Sequence, residues 1–157
     1  MHIRLIASNL ILALLLTSCG SPKTTVAADE QQDTVDLGYT EVDKDQFTGS
    51  ASTLIVDPEK YGNQFSLVDI LLRAPGVFIQ GSGTNARAYI RGSTGQLARE
   101  PLFVVNNVPI AQSLSEMSFL NPHDIARVTV LKGASATTLY GRRGMYGVIL
   151  IRTRTGG

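Results

Sequence analysis

Apolar residues in the middle of the chain recur at two spacings, one typical of strands and one typical of helices. Ser52–Val56 is a short run of strand-forming residues. Ser66–Arg73 instead carries two leucines and an isoleucine on one helical face, and Ser66 is a suitable N-cap. Pro75 and Gly76 then end that helix. This part of the sequence therefore predicts a strand followed by a short helix.

The next two segments predict strands, one of them with a basic outer face. Val77–Gln80 is a candidate strand, and Asn85–Arg91 alternates between small apolar and larger polar residues. This alternation places Arg87, Tyr89 and Arg91 on one side of the second strand, with alanine and isoleucine on the other. Such a strand is half exposed, and its arginines are directed away from the core.

Five further segments complete the pattern. Leu102–Val105 is a continuous apolar run of the buried-strand type, and Arg127–Lys132 alternates like a strand. Ser113–Ser118 predicts a helical turn, Ser135–Tyr140 a short helix, and Gly147–Arg152 a last strand. We therefore expect the α+β class, with a small mixed β-sheet of four to five strands and two to three short helices.

The first residues predict an export signal that ends at a cysteine. Arg4 precedes the apolar run Leu5–Leu16, which is too short to span a bilayer as a helix. Leu16–Cys19 matches the bacterial lipobox, in which the cysteine sulfur is lipidated before the signal is removed. An ordinary secretory signal with an incidental cysteine is the alternative. Because Cys19 is the only cysteine, an intramolecular disulfide is excluded.

Charge and polarity divide the remaining sequence. Residues 19–60 hold nine acidic and three basic side chains, whereas residues 61–157 hold ten basic and four acidic ones. The polar segment after Cys19 has too few apolar residues to offset its ordering entropy. We therefore expect three parts: a lipoprotein signal peptide at 1–18, a lipid-anchored acidic tether at 19–45 and one folded domain at 46–157.

The basic folded domain is expected to meet acidic protein surfaces or lipid phosphates. We predict no nucleic-acid partner, because an exported, lipidated protein rarely meets nucleic acid. Six of its ten basic residues lie in two sequence clusters: Arg87 with Arg91, and Arg142, Arg143, Arg152 with Arg154. Arginine suits bidentate hydrogen bonding to carboxylates. A solvated basic face without a partner is the alternative.

The sequence offers no group of residues suited to catalysis or to cofactor binding. His123 is the only histidine left after signal removal, and it lies in a turn signal beside Pro122 and Asp124. One histidine and one lipidated cysteine cannot build a zinc site. Gly81–Thr84 is rich in glycine, but it leads into an alternating strand and lacks the lysine of a phosphate-binding loop. We predict a protein that is not an enzyme and holds neither metal nor cofactor.

Several short motifs occur in a fixed order along the folded part. They are Leu71–Val77, Ile90–Gly92, Pro101–Val105, Asp124–Gly141 and Gly147–Ile149. Together with a leading segment at Val35–Thr40 and Phe47–Gly49, they resemble the plug domain of TonB-dependent receptors. The resemblance is closest to the nutrient-uptake receptors of the Bacteroidetes type. Each motif alone is weak, but the ordered set is specific.

The resemblance implies a Gram-negative outer membrane and a partner of β-barrel form. In receptors of this family an arginine-bearing turn faces acidic residues on the barrel wall, and we transfer this role to Arg142 and Arg143. Arg87 and Arg91 are further candidates for contacting the partner. Asn106-Asn107 stands where family members usually have Asp-Gly, which keeps a left-handed turn but loses a negative charge.

Only Arg152–Gly157 follow the last motif, whereas a barrel of this family needs roughly 20 tilted strands of about 10 residues each. We therefore expect an integral outer-membrane β-barrel protein on another polypeptide to supply the pore. The leading hypothesis is a lipid-anchored, periplasm-facing outer-membrane lipoprotein that is a non-catalytic subunit, gate or assembly factor of that barrel. The alternatives are the plug half of a split or vestigial TonB-dependent nutrient transporter, and an envelope enzyme or sensor. The resemblance also names TonB as a candidate partner, and the sequence does not decide whether the chain contacts it.

Overall fold

The computed structural model describes residues 34–37, 41–43, 49–92 and 99–155. The predicted signal peptide, Cys19 and the first part of the predicted tether lie outside the described residues. Within the described residues, nine strands and two α-helices are joined by turns and short 3-10 segments. The strands are β1 (Thr34–Asp36), β2 (Glu41–Asp43), β3 (Ser50–Ile55), β4 (Val77–Gln80), β5 (Arg87–Ile90), β6 (Leu102–Val105), β7 (Val108–Ala111), β8 (Ile125–Lys132) and β9 (Val148–Thr153). The helices are α1 (Leu67–Arg73) and α2 (Ala134–Tyr140).

Five strands form one mixed sheet in the order β3-β8-β9-β6-β7. β8 pairs antiparallel with both β3 and β9, whereas β6 pairs parallel with β9 and antiparallel with β7. The parallel pair aligns Leu102 with Val148 and Val105 with Ile151. The predicted α+β class and the mixed five-stranded sheet are therefore confirmed.

β7 lies at one edge of this sheet and was not predicted from the sequence. Its four residues include Pro109, which has no backbone N–H and argues against a central strand. At an edge the missing donor is tolerated, because only one side of the strand has a strand neighbour. A short edge strand with a proline therefore leaves little signal in the sequence.

Asn106 and Asn107 join β6 to β7 through a turn in which both have positive φ, 46° and 72°. This geometry is typical of two-residue hairpin turns, and asparagine tolerates it. Asn106 Nδ2 donates to Thr153 Oγ1 at 2.9 Å, and Asn106 Oδ1 accepts from the Thr153 N–H at 3.0 Å. The asparagine pair therefore keeps the left-handed turn, as predicted, and also ties it to the end of β9.

β4 and β5 form a hairpin of their own. The strand predicted over Asn85–Arg91 is observed at Arg87–Ile90, because Gly83–Asn85 forms a 3-10 turn before it. Ala88 and Ile90 are buried in the same apolar cluster as α1, so the predicted inward face is confirmed.

The central strands are buried on both faces, and two apolar clusters lie on opposite sides of the sheet. In β6, Phe103 and Val105 belong to the first cluster, with residues of α1 and the hairpin. Leu102 and Val104 belong to the second, with Ala136 of α2. Successive residues of a strand face opposite ways, which explains why a continuous apolar run is required here.

The second cluster also contains Val35 and Leu37, from the segment of β1. The Tyr140 hydroxyl donates to the Leu37 carbonyl at 3.2 Å, which ties this segment to the end of α2. β1 pairs antiparallel with β2. Both strands lie within the segment that was predicted as a tether at 19–45.

Helix α1 begins with a capping box. Ser66 Oγ accepts from the Asp69 N–H at 3.3 Å, while Asp69 Oδ2 accepts from the Ser66 N–H at 2.7 Å and from the Ser66 hydroxyl at 2.7 Å. The hydrogen bonds from the hydroxyl and then from the backbone lower the pKa of Asp69 below its ordinary value of 3.8. The predicted N-cap at Ser66 is therefore confirmed.

Candidate partner-binding site

Arg87 and Arg91 lie at the two ends of β5, and both are exposed. Tyr89 between them stacks on Phe78 of β4, with ring centroids 5.2 Å apart. Phe78 is 44% exposed, so the outer face of the hairpin is partly aromatic and partly basic. The structure thus places both arginines predicted on this strand where a partner can reach them.

Arg142 and Arg143 lie in the 3-10 turn Gly141–Gly144, directly after α2. Gly144 lets this turn fold back on the helix, because a Cβ atom there would lie 2.7 Å from the carbonyl carbon of Ala136. The chain then reaches Gly147, where a Cβ atom would lie 2.6 Å from Ile90 Cδ1 in β5. Close approach at two glycines therefore fixes the arginine turn against α2 and the hairpin.

Arg142 and Arg143 line a cleft of about 480 Å³ together with Arg99. Its other lining residues are Glu100, Gln112, Met145 and Tyr146. Arg99 lies outside both sequence clusters, because it is far from Arg142 along the chain. The parallel pairing explains the meeting: Arg99 precedes β6 and the arginine turn precedes β9, so both lie at the same end of two adjacent strands. No local pattern in the sequence reports such a contact.

Arg152 and Arg154 belong elsewhere, at the other end of β9. Arg154 donates to three backbone carbonyl oxygens, those of Val56 at 2.9 Å, Ile125 at 3.2 Å and His123 at 3.3 Å. The sequence cluster of four arginines is therefore two groups in the structure. Of these four arginines, only Arg142 and Arg143 line the cleft.

Glu100 is buried at the border between two clefts. Its Oε1 accepts from the Ala88 N–H at 3.2 Å and from the Leu114 N–H at 2.9 Å, and its Oε2 accepts from the Ser113 hydroxyl at 3.2 Å. Besides the arginine cleft, it lines a second cleft of about 510 Å³ that contains Arg87. The Glu100 side chain therefore lines both the cleft of Arg142 and Arg143 and the cleft of Arg87.

The site carries positive charge that is not neutralised within the described part of the chain. The ion pair found there joins Lys60 to Asp57 on the surface, and none of the five arginines at the site takes part in one. Glu100 is the only carboxylate among the described residues that line the two clefts. Several unpaired guanidinium groups around concave surfaces suit carboxylate or phosphate oxygens.

The described residues offer no candidate metal site. No three histidine, cysteine, aspartate or glutamate side chains among them lie close enough to hold a metal ion. His123 lies in the turn Pro122–Asp124, as predicted, and its ring packs on Phe65 with centroids 4.5 Å apart. None of the described helices is long and apolar enough to cross a membrane.

The TonB-dependent receptor plug domain profile matches residues 44–148, most of the chain. The chain belongs to the TonB-dependent receptor plug family. The TonB-dependent receptor SusC of Bacteroides thetaiotaomicron is 35% identical, and its alignment covers 76% of this plug chain. The vitamin B12 transporter BtuB of Vibrio vulnificus is 30% identical over 91% of the chain.

A solved structure of the RagAB peptide importer in its open-open state has the same plug fold. The match has a TM-score of 0.59 at 27% identity and covers 77% of this chain and 14% of that one. The plug chain spans only 13% of SusC and 24% of BtuB. The relatives are named as receptors and a transporter, not as enzymes.

Proposed function

We propose that this plug domain docks in the lumen of an outer-membrane β-barrel, as a non-catalytic subunit, gate or assembly factor. The observation that carries the proposal is a plug fold whose arginine groups are exposed and have no ion pair among the described residues. The pairing partners are acidic side chains on the barrel wall. Arg87, Arg91, Arg142 and Arg143 are the contacting residues, and Arg99 joins them because it lines the same cleft.

Arginine chemistry supports this docking contact. A single exposed ion pair contributes only about 0.2–1 kcal/mol, but a network of bidentate arginine–carboxylate pairs contributes more than one pair alone. Docking through such pairs weakens as salt is added, because exposed charges are screened. The aromatic pair Phe78 and Tyr89 adds apolar contact area beside Arg87 and Arg91.

Lipidation at Cys19 is the second part of the proposal. The lipobox at Leu16–Cys19 supports it, and multiple acyl chains hold a protein stably on a bilayer. We propose that the domain is anchored in the outer membrane and faces the periplasm, with its barrel on a separate polypeptide. Growth with a labelled fatty acid should mark the native protein, and Cys19→Ala should abolish the label. Label on Cys19→Ala would contradict the anchor.

Capture of the protein from gently solubilised outer membranes tests the docking. Size-exclusion chromatography with intact-mass spectrometry should give a complex of this chain with a separate β-barrel protein. The double variant Arg142→Ala with Arg143→Ala should recover much less barrel. Arg73→Ala is the matched control. Arg73 is the last residue of helix α1, its guanidinium carbon lies 4.3 Å from the centroid of the Tyr61 ring, and it lines neither arginine cleft.

Three results would count against the proposal. Recovery of the protein as a free monomer would contradict docking. If the arginine double variant and Arg73→Ala recover equal amounts of barrel, the arginine contact is contradicted. A barrel found on the same polypeptide keeps docking but removes the separate subunit.

The plug half of a split or vestigial TonB-dependent nutrient transporter is the second candidate. The 35% identity to a protein named as a TonB-dependent receptor favours it. If nutrient uptake by the captured barrel is lost on deleting either this chain or TonB, the split transporter is supported. Uptake that continues without TonB supports the subunit, gate or assembly factor.

A further inference from the structure

The proposed docking surface consists of two arginine groups on different structural elements. Arg87 and Arg91 belong to the β4–β5 hairpin, which forms no strand ladder with the five-stranded sheet. Arg142 and Arg143 belong to the turn before β9, a central strand of that sheet. A partner that binds both groups at once requires the hairpin to be held at a fixed distance from the sheet.

Glu100 has the geometry to hold it. Ala88 is a fully buried residue of β5, whose strand partner among the described residues is β4 alone. Glu100 Oε1 accepts a hydrogen bond from the Ala88 N–H, so the carboxylate supplies an acceptor at the free edge of the hairpin. The same oxygen accepts a hydrogen bond from the Leu114 N–H. Along the chain, Glu100 is followed by Pro101 and then by the first residue of β6. The side chain therefore bridges the hairpin, the sheet and the 114–117 turn.

We propose that Glu100 is a positioning residue that holds Arg87 and Arg142 in register, so that one acidic partner binds both. This inference rests on the proposed docking function. Glu100 acts through its hydrogen bonds, since its Oε1 must reach two buried N–H groups, while its negative charge opposes the acidic partner. Position and charge can therefore be separated by substitution.

Glu100→Gln and Glu100→Asp form the matched pair. The glutamine keeps an oxygen in reach of the Ala88 and Leu114 N–H groups, and its new amide can donate to Ser113 Oγ, whose hydroxyl then donates to Ser115 Oγ, 2.8 Å away. The aspartate keeps the charge but is one methylene shorter, so its oxygens withdraw from both N–H groups. Glu116→Gln is the control, because Glu116 is an exposed acid in the neighbouring turn.

A double-mutant cycle with a labelled oligo-glutamate peptide measures the effect. In the native sequence, Arg87→Ala and Arg142→Ala should each weaken binding about two- to fivefold. The affinity of the double variant for the peptide should fall by less than the product of the two single fold-changes. The reason is that a peptide held by one arginine binds the other more tightly. This non-additivity should persist in Glu100→Gln and Glu116→Gln and vanish in Glu100→Asp.

Amide hydrogen exchange supplies a second readout that does not depend on the peptide. The Ala88 and Leu114 amides should exchange faster in Glu100→Asp and at the native rate in Glu100→Gln. Non-additivity that survives in Glu100→Asp, or is lost in Glu100→Gln, overturns the positioning role while docking stands. A native domain that does not bind the peptide overturns both this inference and the arginine contact of the proposed function.

Discussion

Gly147 lies where three parts of the molecule meet. It follows the arginine turn, and its carbonyl accepts from the Leu102 N–H at 3.0 Å at the start of β6. Its φ is +90°, a value that glycine adopts without strain. A Cβ atom there would lie 2.6 Å from Ile90 Cδ1 and 3.0 Å from the Leu131 carbonyl oxygen. Both the backbone angle and the available space therefore require glycine.

Gly147→Ala and Gly62→Ala separate these two requirements. Gly62 has a φ of +78°, but a Cβ atom there would meet nothing within 4 Å. Gly62→Ala should therefore cost about 1 kcal/mol of unfolding free energy from backbone strain. Gly147→Ala should cost about 3 kcal/mol, because overpacking against Ile90 and Leu131 is added. Urea unfolding measures both, and equal midpoints would contradict the close contact at Gly147.

The arginines illustrate what the sequence can predict and what it cannot. The exposure of Arg87 follows from alternation with buried neighbours, a local property, and the structure agrees. Arg99 and Arg154 look alike in sequence, yet one lines a cleft and the other binds three carbonyl oxygens. These roles depend on which strands pair, and pairing between distant segments has no local signature.

At the scale of elements, α1 is stabilised by its cap and by its buried face. An isolated helix of seven residues is too short to be stable in water. Leu67, Ile70 and Leu71 are buried against the first apolar cluster, and the capping box satisfies the first backbone donors.

Replacing the members of the capping box should give a pH-dependent loss of stability. Ser66→Ala should cost about 1 kcal/mol near neutral pH. Because the folded pKa of Asp69 is lowered, its contribution is present above the unfolded value of 3.8 and is lost as pH falls through the folded pKa. The effect is small, since Asp69 is exposed.

Thermal unfolding from pH 7 to pH 2 tests this with Asp69→Asn. The asparagine still offers an oxygen to the Ser66 N–H but has no charge to lose. The difference in stability between the native protein and Asp69→Asn should therefore shrink below about pH 4. A difference that stays constant with pH would show that the ionised carboxylate does not favour the cap.

The predictability of each element follows from its length and period. β5 and β8 were found because alternation over several residues is a strong signal. β1 and β2 were missed, because each has three residues in an acidic segment and the contribution of Val35 depends on the cluster it joins. Sequence patterns also gave two strands at β4 and β5 without indicating that they stay outside the main sheet.

At the scale of the whole molecule, the second face of the sheet is partly covered by the segment before β3. Val35 is 4% exposed and Leu37 is 7% exposed, and both pack in the cluster of Leu102, Val104 and Leu150. Without this segment, apolar surface of the central strands would meet water.

Two shortened chains test the contribution of this segment. A chain that begins at Gln32 keeps β1 and β2 and serves as the reference. A chain that begins at Gly49 lacks Val35 and Leu37 and should lose about 3 kcal/mol, because burial of such a side chain contributes about 1.5–3 kcal/mol. Circular dichroism on heating measures both. Equal melting temperatures for the two chains would mean that the segment adds no stability.

The place of β9 in the sheet has a consequence for biogenesis. β9 lies between β8 and β6, although it comes last of the strands in the described part of the chain. While an emerging polypeptide lacks Val148–Thr153, β8 and β6 each keep an open edge, and such edges invite aggregation. Long-range pairing of this kind is also slow to form. The plug sheet can therefore close only after Val148–Thr153 has been synthesised, and until then both flanking strands lack their shared neighbour.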